Sequence, residues 1–159
     1  RNGLNVLGIR RSGRAHRYVD EMGATADLRR LLPRADFVLV TTPLTKETRR
    51  MIGRAEFDLM KPTAGFINMG RADVVDYDAL AAKLRAGALR GAVLDVFSPE
   101  PLPADSPLWD TPRLIITPHC SSDDVERYAE HTLDIVFENI GRIMQGKRPR
   151  NLVRGELEY

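Results

Sequence analysis

Cysteine is almost absent from this sequence. Cys120 is the only one, so no internal disulfide can form. A single thiol fits a reducing compartment, and a cytoplasmic location is expected. The three histidines, His16, His119 and His131, lie too far apart along the chain to make a zinc site with it. No apolar run approaches membrane-spanning length. The opening residues show no charged-then-apolar leader pattern. The net charge of +2 is too small to imply a nucleic-acid partner. No serine elbow, Cys/His dyad of suitable spacing or metal-ligand cluster is visible.

Lysine is scarce as well: the basic side is nearly all arginine, 20 residues against 4 lysines. Genomic base composition accounts for most of that bias. It does not account for the first 34 residues, which hold eight arginines and three acids. With 43% apolar and 29% charged residues in 159, the chain can bury a core of ordinary soluble composition.

Short apolar runs at 4–9, 36–42, 65–69, 91–97 and 113–118 read as five buried strands. Between them lie segments of helical character: 15–22, stopped by Gly23; 27–35, with Asp27 as N-cap; a loop and short helix over 43–53; 54–60; and 77–89, capped by Asp76. A proline-rich loop covers 98–112. A long helix is expected over roughly 123–145, with Asp123 and Glu126 as a capping box. Its apolar stripe is Val125, Tyr128, Thr132, Val136, Ile140 and Ile143. This alternation predicts an α/β fold with a parallel sheet covered by helices on both faces.

In such sheets ligands sit beyond the carboxyl ends of the strands. Those ends carry Arg10, Arg11 and Ser12; Thr42 and Pro43; Gly70 and Arg71; Asp95, with Glu100 just after; and Pro118 and His119. His119 suits proton transfer near neutral pH. Glu100 could fix its tautomer, since a nearby anion favours an imidazolium. Arg71 offers a planar fork for a carboxylate, unless Asp73 or Asp76 occupies it. Each residue alone has a plain structural explanation. Together they describe a site that holds a carboxylate and moves a proton to or from an oxygen. Cys120 follows His119 but points the other way on an extended chain, and it reads as structural.

The segments INMGRADVVDYDAL, GAVLDVFSPEPLP and ITPHCSSDD resemble the signature segments of the D-isomer-specific 2-hydroxyacid dehydrogenases, and VTTPLTKETRRMIG resembles the stretch beside their cofactor. The resemblance is to the glyoxylate/hydroxypyruvate reductase-like members and covers essentially the whole chain. It implies a Rossmann-type fold and hydride transfer between NAD(P)H and a small 2-oxo acid. By resemblance, Arg71 binds the substrate carboxylate, His119 donates the proton and Glu100 pairs with His119. Asp95, with the backbone at Met69 and Gly70, would hold the nicotinamide carboxamide. Thr42, Pro43 and Thr48 would line the ribose side, and Ser121 and Ser122 would approach the nicotinamide. The family also implies a homodimer.

Besides Ala72 and Asp73, where relatives often have glycines, and Ser98, where an acid is common, the sequence departs from the family pattern in two main ways. The G-x-G-x-x-G fingerprint, which lets backbone amides approach a pyrophosphate, is absent. The chain is therefore expected to lack the first strand and glycine loop and to be a C-terminal piece of a longer enzyme, inactive alone. Residues 1–122 would be a partial nucleotide-binding domain and 123–159 a return to an otherwise missing substrate domain. Second, where NAD-using relatives carry an acid for the ribose 2′-hydroxyl, this chain has Arg10, then Arg11, Ser12 and Arg14. Arginines pair with a 2′-phosphate, so NADP is expected over NAD. The rival expectations are a dinucleotide-sensing, corepressor-like binding module and an inert fragment.

Overall fold

The computed structural model describes residues 3–121, 124 and 126–157. Six parallel strands form two sheets. The smaller pairs β1 (Leu7–Ile9) with β2 (Glu21–Gly23). The larger has the order β3 (Phe37–Val40), β4 (Gly65–Asn68), β5 (Gly91–Leu94), β6 (Leu114–Ile116). The helices are α1 (Leu28–Leu31), α2 (Arg54–Leu59), α3 (Tyr77–Arg85) and α4 (Tyr128–Met144). This is a Rossmann-like α/β architecture, in which crossover connections keep every carboxyl end of the sheet on one edge.

The register places Val40, Asn68 and Leu94 in one row and Leu39, Ile67, Val93 and Ile115 in the next. Successive residues of a strand face opposite ways, so these rows lie on opposite faces. The first face is buried. Phe57 of α2 meets Phe66 of β4 edge-on at 5.1 Å, and Leu80 and Leu84 of α3 join the same cluster. Full burial of each such side chain contributes about 1.5–3 kcal/mol. The second face holds Phe37, Leu39 and Ile115, all exposed. Within this chain, α2 and α3 therefore cover one face of the larger sheet.

Asp76 caps α3 as expected, its carboxylate accepting from the Ala79 amide at 3.1 Å. The helix ends at Ala86 and Gly87, the latter at φ +69°, a conformation glycine adopts without strain.

Four local expectations are corrected. Residues 15–22 do not form a helix. Asp20 accepts from the Val6 amide through its carboxylate at 2.9 Å, and its own amide donates to Val6 O at 2.9 Å. These bonds align Glu21–Gly23 as β2 against β1, so a long-range ladder overrides local helix preference. No helix forms over 43–53 either. Thr45 and Thr48 bond each other's amides and side chains there, an alternative that competes with helical bonding. In the 27–35 segment only four residues are α-helical, with 3-10 turns on both sides. Asp27 binds the preceding turn at Ala24 N (3.0 Å) instead of capping α1. Finally, α4 begins at Tyr128. Asp124 accepts from the Arg127 amide at 3.0 Å, whereas Asp123 and Val125 lie outside the described residues. Its stripe residues Tyr128, Val136, Ile140 and Ile143 are exposed.

Candidate active site

β4 ends at Asn68, and the chain turns through Met69 and Gly70 to Arg71. Gly70 has no freedom to be another residue: a Cβ there would lie 2.7 Å from Thr42 O and 3.0 Å from Thr42 N. This close approach packs the end of β3 against the end of β4. Arg71 is thereby held at the edge, with one guanidinium nitrogen on Gly70 O at 2.7 Å and the side chain exposed. Asp73 pairs with Arg49 at 2.7 Å, and Asp76 pairs with Arg50. Neither acid occupies Arg71, which has no carboxylate partner among the described residues.

β5 leads through buried Asp95 and Val96 into the proline-rich loop. Glu100 lies there between two cis X–Pro bonds, Ser98–Pro99 and Glu100–Pro101. One of its oxygens accepts from the Phe97 amide at 2.7 Å, and the other meets His119 Nδ1 at 2.8 Å. A carboxylate only accepts, so Nδ1 carries the hydrogen, and Nε2 makes no hydrogen bond among the described residues. The His119 contact, then the Phe97 amide, hold Glu100 below the usual carboxylate range, and Arg71 adds to this through its field.

His119 follows β6 in the left-handed region, at φ 56°. Asp95 holds that loop. It is fully buried, and its carboxylate accepts from Thr117 Oγ1, Cys120 N (3.0 Å) and Ser121 N (2.9 Å). Burial alone would raise its pKa, but these donors outweigh it and the group lies well below the ordinary 3.8. Both oxygens are thus committed to the segment that carries His119. The thiol of Cys120 is exposed.

The remaining predicted residues divide by position. Arg10 is at the carboxyl end of β1, exposed, and makes no side-chain hydrogen bond or ion pair among the described residues. Arg11 pairs with Glu47 at 2.7 Å. Ser12 accepts from the Arg14 amide at 3.4 Å. Thr42 and Pro43 follow β3. Thr48 donates to Pro43 O at 2.7 Å and so shapes that turn. Met69 is partly exposed beside Gly70, its amide on Val40 O at 2.9 Å. Ser121 lies beside Asp95, and Ser122 is outside the described residues.

Sequence reasoning missed Asn68, Tyr77 and Thr117. Asn68 is completely buried, and every polar atom it has is used. Its Oδ1 accepts from Gly70 N (3.0 Å), while Nδ2 donates to Arg71 O (3.1 Å) and to Tyr77 Oη (2.9 Å). The one signal available was a lone amide closing an apolar strand. Among the described residues no group of His, Cys, Asp or Glu could hold a metal ion, and no helix is long and apolar enough to cross a membrane.

A parallel sheet whose polar groups gather at its carboxyl edge defines a Rossmann-type domain with a ligand-facing rim. Residues 1–121 match the family described as D-isomer specific 2-hydroxyacid dehydrogenase, NAD binding domain, and the chain belongs to that family. It is 40% identical over 158 residues to glyoxylate/hydroxypyruvate reductase B of Citrobacter koseri, covering 98% of this chain and 48% of that protein. Among solved structures it superposes on a D-isomer specific 2-hydroxyacid dehydrogenase from Xanthobacter autotrophicus, in complex with NADPH and MES, with a TM-score of 0.89. The identity is 37%, over 99% of this chain and 64% of the other. It also superposes on an NADPH-dependent glyoxylate/hydroxypyruvate reductase of Sinorhizobium meliloti, in complex with NADP and sulfate. There the TM-score is 0.88 and the identity 32%, over 99% and 50% of the two chains. The chain spans about half the length of the curated relative it matches along nearly all of its residues.

Proposed function

We propose that the protein carrying this chain reduces a small 2-oxo acid, of the glyoxylate or hydroxypyruvate kind, to the D-2-hydroxy acid, with NADPH preferred over NADH. The observation that carries this reading is the Glu100–His119 pair at the same sheet edge as an Arg71 with no acid partner. The chain's donors suit two ends of the cofactor. Arg10 would take a 2′-phosphate, and the Met69–Gly70 backbone with the Asp95 loop would flank the nicotinamide. When bound, the cofactor supplies the hydride that goes to the substrate's carbonyl carbon. Arg71 grips the substrate carboxylate through two parallel hydrogen bonds and orients the adjacent carbonyl. His119, protonated on both ring nitrogens, gives the Nε2 proton to the carbonyl oxygen as negative charge develops there, and Glu100 keeps the remaining hydrogen on Nδ1. The product leaves as the hydroxy acid, and His119 regains a proton from water.

Thr42, Pro43, Thr48, Ser121 and Ser122 complete the cofactor rim in this reading. Residues 123–159 return to a substrate-binding part, and the protein works as a cytoplasmic homodimer. The NADPH preference draws support from Arg10 and from the relatives solved with NADPH or NADP.

Oxidation of NADPH and NADH with glyoxylate and with hydroxypyruvate, followed on the complete protein, tests the reading. Turnover with NADPH favoured is expected. Cofactor binding without turnover on any small 2-oxo acid would instead support a dinucleotide sensor.

A further inference from the structure

The two halves of the proposed site sit on different strands. Arg71 follows β4, whereas Glu100 follows β5 and His119 follows β6. Nothing in the proposed chemistry works unless their relative positions are held. Resting on that functional reading, we propose that Tyr77 is a positioning residue: with Asn68 it locks the backbone that presents Arg71 to the backbone that presents the Glu100–His119 pair.

The connection is continuous. Tyr77 Oη donates to Val96 O at 2.7 Å and accepts from Asn68 Nδ2 at 2.9 Å. Asn68 in turn fixes Gly70 N and Arg71 O, on either side of the residue that enters the site. On the other side, Val96 precedes Phe97, whose amide holds Glu100 at 2.7 Å, and Glu100 meets His119 at 2.8 Å. The Tyr77 ring also stands edge-on to Phe97, centroids 6.3 Å apart.

Donor accounting leaves one arrangement. Tyr77 has a single hydroxyl hydrogen, and it goes to Val96 O. Its oxygen is then free to accept one amide hydrogen of Asn68, and the second amide hydrogen goes to Arg71 O. Flipping the Asn68 amide would set an NH2 against the Gly70 N–H, so its orientation is determined. Burial pushes the Tyr77 phenol well above its ordinary value, so the hydroxyl stays a donor through the working pH range. A hydroxyl is required here for its bonds at both ends. A phenylalanine would fill the same space and leave Val96 O and one of the two Asn68 Nδ2 hydrogens without a partner.

The test is Tyr77→Phe in the complete protein, read by hydrogen exchange with mass spectrometry. Peptides covering 68–71 and 95–98 are compared with one covering 80–84 in α3. Both strand-end peptides are expected to exchange roughly tenfold faster or more, with the α3 peptide unchanged, because each loses a bond to a buried polar group. Asn68→Ser cuts the same connection from its other end and should also loosen 95–98. Phe97→Leu, which removes the ring contact but keeps the hydroxyl bonds, should leave 68–71 as in wild type. With glyoxylate and NADPH, Tyr77→Phe should raise KM and lower kcat together, since substrate grip and proton delivery are both released. A response confined to one strand end, a uniform rise everywhere, or loss of folding in both Tyr77→Phe and Asn68→Ser overturns the proposal. Absence of wild-type turnover would overturn the functional reading while leaving the exchange result to decide the positioning role.

Discussion

At the scale of single residues, the site depends on what each polar group is not already bound to. Arg49 and Arg50 take Asp73 and Asp76, so neither acid occupies Arg71, the residue proposed to bind the substrate carboxylate. A lysine there keeps the charge but loses the planar fork. Arg71→Lys is therefore expected to raise KM for a 2-oxo acid by at least about tenfold, with a smaller change in the KM for NADPH; steady-state kinetics checks this. Arg10 is open in the same sense. Arg10→Asp should reverse the coenzyme preference, because a carboxylate repels a 2′-phosphate and suits a ribose hydroxyl. The ratio of kcat/KM values for NADPH and NADH reads this directly.

The placement of these residues at strand ends was legible in the sequence because strand ends can be found from apolar runs, and ligands of an α/β sheet sit beyond those ends. The partnering of Asn68 with Tyr77 was not legible. Tyr77 opens a helix and reads as a helix residue; only the fold brings its hydroxyl to the end of β4 and the start of the β5 loop. The commitment of Asp95 to the His119 loop was hidden for the same reason, since Thr117, Cys120 and Ser121 reach it from another strand.

At the scale of elements, the loop that carries His119 rests on one buried carboxylate. Its folded-state pKa is depressed, so its contribution to stability is fully present above the ordinary aspartate value of 3.8 and is lost as pH falls below it. Urea midpoints measured from pH 5 downwards should therefore fall more steeply for wild type than for Asp95→Asn. The helices and the sheet divide the apolar residues sharply. Phe66 is wholly buried against Phe57, whereas Phe137 on α4 is 66% exposed. Phe66→Ala should cost about 3–5 kcal/mol in urea unfolding. Phe137→Ala should stay within about 0.5 kcal/mol in this chain.

Strands β3 to β6 were readable because each is a continuous apolar run between turn residues. Strand β2 was not, since Glu21–Gly23 has no apolar pattern of its own. It exists because Asp20 and Glu21 bind Val6 and bring it alongside β1. The helix expected over 43–53 failed for a local reason: two threonines three residues apart satisfied the backbone more cheaply than a helical turn.

At the scale of the whole molecule, the chain matches about half the length of a relative that aligns with nearly all of it, and its apolar surface has two characters. One sheet face is closed by α2 and α3. The opposite face presents Leu39 and Ile115, and α4 presents Tyr128, Val136, Ile140 and Ile143. The candidate residues follow strands of both sheets, Arg10 after β1 of the smaller and Arg71, Glu100 and His119 after β4, β5 and β6 of the larger. The function proposed for them therefore belongs to no one segment of the chain.

The proposed chemistry stands or falls on His119 as the proton donor. It is checked by kcat of His119→Gln in the complete protein with glyoxylate and NADPH, alongside the affinity for NADPH. A loss of about 10²–10⁴-fold in kcat with cofactor affinity retained is expected. Turnover within a few-fold of wild type would contradict it.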